Sequence, residues 1–579
     1  MNESLHSLRK DRLWQRRDEC RRQKLDELSH CRLDHLKVPI WLCFDGKGNL
    51  MRRLKEVILT IVAAMVSLAP AAALAEAPDW SNATAPVPLL IEADEQYRSD
   101  VIALLREMQE GVIRPETIER VDALSARLSE ASGATGLLKL FKGRQILSAG
   151  RKGEGAAQLK AALRQYPNIP VAWLWTIEGL SFYTPEVGFA ANAWMELAQQ
   201  SPELANLIDP IYLTALAGNL AANGEMETLE QLYLALDRIG YAAKDPFTSS
   251  AVAYEAFGSL AEDGLEEEAR LRLARIADPS KLAQILTYRT FEPYWNDVEF
   301  DSAELRTRLV RTWLIESGRA ISRSDDAQRF GWFLSTLSPY VEPVLFTGRY
   351  EPQLRAVMQR KNRSEADAFY AAWVSPIARA HVNAGNIDAA EAMYKDAELF
   401  FDGFANRAKL SVGANYADFL ANRGRYRKAL EKTDSLIAIL EEATGNELAL
   451  LKMKSIRLRA LHGLGRDYRS DPAMAAIADA RKGVPSLEFE LMLDLGDYDA
   501  ARQQALSLLD GDDYAFVVDA FQPRLGAFGH SYPEAREKTL ERLRADPQVL
   551  AAVEEKGRIL DFEPVAVSLD EWPALDSAP

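Results

Sequence analysis

From position 376 the chain reads PIARAHVNAGNIDAAEAMYKDAELF. Small and apolar residues recur at helical spacing, stop at Gly385, then resume. Ala390, Tyr394 and Ala397 follow at spacings that place them on one helical face. Glycine at the stop takes left-handed backbone at little cost. The pattern predicts two helices joined by a tight turn. Its small residues let adjacent helices approach, and its tyrosine fills the gap between pairs.

The stretch YADFLANRGRYRKALEKTDSLI repeats this layout after 39 residues: Gly424, Ala429, Thr433 and Leu436 take the places of Gly385, Ala390, Tyr394 and Ala397. Looser copies run through Gly150-Gly155-Leu159-Ala162, Ala190-Trp194-Leu197, Gly224-Leu229-Tyr233-Leu236, Gly264-Ala269-Leu273-Ile276, Gly465, and Gly496-Ala501-Ala505-Leu508. Between these turn glycines the intervals are 74, 40, 121, 39, 41 and 31 residues. The two long ones hold two and three units of the same size. Loose periods of this kind suit a diverged repeat array. No stretch alternates with period two, so the chain is expected to be all-α.

The layout resembles the tetratricopeptide repeat (TPR), which pairs Gly or Ala in a first helix with Ala and an aromatic in a second. The resemblance implies an α-α superhelix, a TPR-like helical solenoid. It divides the chain into an N-terminal array at 91–290, an irregular helical joint at 291–365, a C-terminal array at 366–510 and a helical cap at 511–565. In TPR arrays the first helices line a groove that takes an extended or helical peptide. Carried onto the two clearest units, that face holds Ser375, Arg379, Val382 and Asn383, then Ala414, Asp418, Ala421 and Asn422. Asn415 matches a place where some TPRs hold a peptide carboxylate. The full basic-and-asparagine clamp of those repeats is not present here.

The joint departs most from the repeat. EPYWNDVEF, LSPYVEP and LFTGRYEPQL interrupt its helices, and it holds Trp295, Trp313 and Trp332. Such an aromatic patch reads first as a packing joint. As a ligand face, the three indoles would stack on sugar rings.

A second beginning lies inside the chain. At Met51, MRRLKEVILTIVAAMVSLAPAAALA has a basic end in Arg52, Arg53 and Lys55 and an apolar core over residues 57–68. Pro70 follows, then Ala73-Leu74-Ala75 fits a small-x-small cleavage pattern. These features predict a signal peptide at 51–75, cleaved after Ala75, and export to the periplasm. The alternative is an uncleaved 51–75 segment anchoring the protein in the membrane. Residues 1–50 are then expected to be a mis-assigned or disordered extension, 76–90 a linker and 566–579 a mobile acidic tail.

This boundary changes the composition. Residues 1–75 carry 14 of the 69 Lys and Arg and 9 of the 85 Asp and Glu, which leaves 55 basic and 76 acidic residues, a net charge of −21. They also carry all three cysteines, Cys20, Cys31 and Cys43, spaced too widely for a zinc motif. A cysteine-free acidic remainder suits an oxidising compartment and repels phosphate backbones, so no nucleic-acid partner is expected.

Candidate chemistry is sparse. Three histidines remain after residue 75: His381, His462 and His530. The first two fall on first-helix segments and read as packing residues. G-x-S-x-G and the phosphate-loop motif do not occur, and GRKGEG at 150–155 fits a repeat turn. No catalytic residue, cofactor or metal site is expected. The leading expectation is a non-catalytic, periplasmic interaction scaffold or adaptor for a protein or peptide, meeting the membrane only through its signal segment. Two alternatives stand: an accessory subunit for envelope polysaccharide assembly or export, and a cell-wall glycan-acting enzyme in the 291–365 joint with Glu292 and Glu299 as its acids.

Overall fold

The computed structural model describes a few residues between Tyr97 and Leu104 and, from residue 115, nearly all residues to 568. Outside the described residues lie 1–96, 105–114, 569–579 and short stretches including 129–132, 149–150, 323–326, 443–446, 481–483 and 530–531. The expected extension, signal peptide and linker lie outside them, as do Gly150, His530 and nearly all of the expected tail.

The described residues are all-α: helices follow one another from Pro115–Ser125 to Pro547–Lys556, with three isolated β-bridges and no strand. Among them, no helix is long and apolar enough to cross a membrane. Acid-proline pairs start many helices. Asp209, Asp245, Asp278, Glu342, Asp471 and Asp546 each accept hydrogen bonds from backbone N–H groups of the first turn, and proline occupies the next position. Proline has no N–H to leave unsatisfied there, and the carboxylate meets the positive helix end.

The turn glycines end helices as expected. Gly224, Gly264, Gly385, Gly424, Gly465 and Gly496 all have φ between +67° and +79°. At each, the glycine N–H bonds the carbonyl three residues back, and the following N–H bonds the carbonyl four back from the glycine. At Gly385 these bonds are Gly385 to Val382, 3.0 Å, and Asn386 to His381, 2.8 Å. This double closure satisfies carbonyls that a helix end would orphan.

Second-helix faces pack as their spacing predicts. Ala390, Tyr394, Ala397, Ala429, Thr433 and Leu436 are buried, as are Ala190, Trp194 and Leu197. Two helix backbones approach closely in the first complete pair. A Cβ on Gly155 would stand 2.5 Å from the Leu147 nitrogen and 2.8 Å from the Gly143 oxygen. Helix Ala371–Asn383 packs on its partner Ile387–Phe401 and on the next first helix, Asn406–Asn422. The latter packs in the same way on Glu447–Gly463, which packs on Pro485–Leu495.

The apolar core divides inside helix Pro246–Glu262. Val252 belongs to a core running back to Val101, and Ala253 begins one that runs to Val567. This helix is buried on both sides, with Val252, Ala253 and Phe257 all covered. Residues 291–365 share the second core with the C-terminal helices, and helices Ala303–Ser322, Ala327–Leu337 and Pro343–Met358 fill most of that span.

The C-terminal segment also returns to this middle region. Arg558 N–H donates to the Thr287 carbonyl, 2.9 Å, and Val567 N–H to the Tyr340 carbonyl, 2.8 Å. Gly557 and Gly526 sit where a Cβ would meet the Thr287 and Pro339 carbonyls at 2.8 and 2.6 Å. Phe562 packs edge-on against Phe300, and Tyr288 donates to Asp519 at 2.6 Å.

Candidate functional site

The first helices of the C-terminal pairs present a row of polar side chains that crosses from helix to helix. Its centre is Arg459 on Glu447–Gly463. Its guanidinium bonds Asp418 at 2.7 Å, Asn422 on the same neighbouring helix, and lies 3.4 Å from Asp494 on the next. Asp494 takes a second arginine, Arg536, at 3.0 Å. Arg536 in turn lies over the Tyr532 ring, 4.4 Å from its centroid. Burial opposes the charges on both arginines, but their carboxylate neighbours outweigh it and hold both pKa values above the usual arginine range. Glu490 is pushed up by burial, with Arg536 opposing; Lys452 is pushed down by burial, with Glu490 and Asp418 opposing.

Four of the expected groove residues belong to or adjoin this row. Asp418 and Asn422 are bonded to each other, 3.0 Å, as well as to Arg459. Arg379 donates to Ser335 at 3.3 Å, and burial lowers its pKa, partly offset by Tyr394, Tyr532 and Asp418. Ser375 is hydrogen-bonded to Tyr394, whose hydroxyl burial pushes up to about 12. The other two polar ones turn to backbone. Asn415 donates to the Ser411 carbonyl of its own helix, 3.0 Å. Asn383 donates to Phe528 and Gly529 carbonyls, 2.7 and 3.3 Å, so it fastens the C-terminal region to the helix end.

The three tryptophans occupy different settings. Trp295 donates to the Ile285 carbonyl, 2.9 Å, and carries the Arg558 guanidinium 3.9 Å from its ring centroid. Trp313 is 2 % exposed, and its ring stacks on Phe247. Trp332 is half-buried and lines a cavity of about 110 Å³ with Phe247, Glu255 and Lys281. They share no open stacking face. Glu292 and Glu299 are exposed, and Glu292 pairs with Arg289 at 3.4 Å.

His381 is buried and its Nε2 lies 2.7 Å from Glu351, while His462 packs edge-on against Tyr468. Among the described residues, no group of three His, Cys, Asp or Glu side chains is placed to hold a metal ion. Sequence reasoning missed Arg459, Asp494 and Arg536. The signal for Arg459 was available: it lies 41 residues after Asp418, close to the repeat interval.

No protein-family model matches this chain, and no curated protein matches it. The functional reading rests on the chain's own residues.

Proposed function

We propose that this chain is a non-catalytic, TPR-like interaction scaffold of the periplasm, and that the first-helix face of its C-terminal pairs binds a protein or peptide. The observation that carries this reading is the polar row. Arg379, Asp418, Asn422, Arg459, Asp494 and Arg536 come from five helices, separated in sequence by others, and line up from one to the next. Mixed charge on a rigid frame suits a polar peptide, because fixed donors and acceptors cost little ordering entropy on binding. Asp418 keeps 44 % of its side-chain surface and so remains available to a partner.

Export rests on the segment at 51–75 and is tested by N-terminal sequencing of the processed protein. A product beginning at Glu76 supports the periplasmic reading; a cytoplasmic product retaining residues 1–50 refutes it. The binding face is tested by Asn415→Arg, which places a large cation beside the row, one helical turn from Asp418, while leaving Arg459 and Asp494 intact. A partner recovered by the native chain should be lost by this variant at unchanged melting temperature.

A further inference from the structure

The cavity beside Trp332 lies where the two apolar cores meet. Helices Pro210–Asn223, Met226–Arg238, Pro246–Glu262, Pro279–Thr287, Ala303–Ser322 and Ala327–Leu337 all contribute to its wall. Seams between cores are favoured places for small-molecule sites. Its volume, about 110 Å³, is somewhat below the roughly 150 Å³ that admits benzene in an engineered protein cavity.

The wall combines an apolar body with polar groups that have work left undone. Glu255 is 5 % exposed, and its Oε2 is buried with no hydrogen-bond partner. The Trp332 indole N–H is likewise buried without an acceptor. Leaving such groups unmatched costs stability, so each is either a defect or half of an interaction. Lys281, 7 % exposed, spends one donor on Gln284 and lies 4.3 Å from the Tyr254 centroid, which leaves donors over. Arg329, also on the wall, is already neutralised by Asp245 at 2.5 Å. With Glu255 ionised, its charge and that of Lys281 balance. A ligand that matches this wall is neutral overall, offers a donor to Glu255 and an acceptor to Trp332 and Lys281, and is otherwise aliphatic or aromatic.

We propose that this cavity binds a small aliphatic amino acid as its zwitterion, with the ammonium on Glu255 and the carboxylate on Trp332 and Lys281. The apolar side chain then lies against Phe247 and Phe333. The site is separate from the polar row, so either reading can fail without the other.

The test is calorimetric titration of the full processed chain with L-valine, 2-methylpropylamine and 3-methylbutanoate. The expected result is saturable one-to-one binding of L-valine, with both single-charge analogues at least tenfold weaker. Glu255→Gln and Trp332→Phe should each weaken valine at least tenfold. Ala251→Leu, which fills the cavity from its wall, should abolish binding while the melting temperature holds, and this keeps the test decisive if Glu255→Gln does not fold. Absence of saturable binding for valine, alanine, leucine and isoleucine overturns the proposal and leaves a cavity holding water alone. Equal binding of one analogue, or valine binding that survives Ala251→Leu, overturns it as well.

Discussion

Three glycines of this chain separate three physical roles of a missing side chain. Gly385 has φ +79° and open space around it, so alanine there meets only backbone strain. Gly385→Ala should lower unfolding free energy by about 1–2 kcal/mol. Gly155 has backbone atoms of Leu147 and Gly143 within 2.8 Å of a would-be Cβ. Gly155→Ala must push two helices apart and should cost about 1–3 kcal/mol. Gly258 lies within helix Pro246–Glu262 with nothing within 4 Å, so Gly258→Ala should stabilise by about 0.5–1 kcal/mol. Urea midpoints of the three variants check the two losses and the one gain. The left-handed glycines were legible in the sequence because their conformation depends on local chemistry. The Gly143–Gly155 approach was legible only as a repeat position. Its tightness depends on how a whole helix pair seats.

At the scale of elements, the helix pairs were readable from Ala and aromatic spacing, while the return of the C-terminal segment was not. That return depends on Arg558 meeting Leu286 and Thr287, some 270 residues earlier, and no local pattern encodes such a pairing. The division of the core inside Pro246–Glu262 was hidden for a related reason. A helix buried on two sides loses the one-sided stripe that marks a surface helix. The Arg558 side chain donates to the Leu286 carbonyl at 2.6 Å and covers Trp295. Arg558→Ala should therefore speed hydrogen exchange across residues 285–300, while exchange in helix Lys152–Gln165 stays unchanged. Equal exchange at 285–300 in both proteins would mean that the return contributes nothing to local stability. Of the expected groove, Asp418 and Asn422 were placed by the 39-residue offset. Arg459, Asp494 and Arg536 were missed because the units that carry them match the repeat less closely.

For the whole molecule, buried carboxyls set the direction of pH dependence. Burial raises Glu178 and Glu255 to about 7, against partial opposition from Arg144 and Lys281, and raises Asp519 to about 6. A folded-state pKa above the unfolded one means the native state binds more protons between the two values. Stability is then fully present below pH 4.5 for the two glutamates and below pH 3.8 for Asp519, falls through the interval, and levels off above about pH 7. For Glu255 the loss is on the order of 3 kcal/mol. Asp546 acts oppositely, held low by Arg502, backbone N–H groups and Tyr498, but its contribution is lost only in stronger acid. The melting temperature should thus drop between pH 5 and pH 7.5, and Glu255→Gln should flatten the slope.

The central claim is that the first-helix row is a binding face on a scaffold. Its most direct test is quantitative recovery of periplasmic proteins on the processed chain, compared with Asn415→Arg and with a control charge on a second helix, Glu431→Arg. The account predicts at least one protein held by the native chain and by the control, and reduced at least tenfold by Asn415→Arg at equal melting temperature. Identical recovery on all three proteins would contradict it.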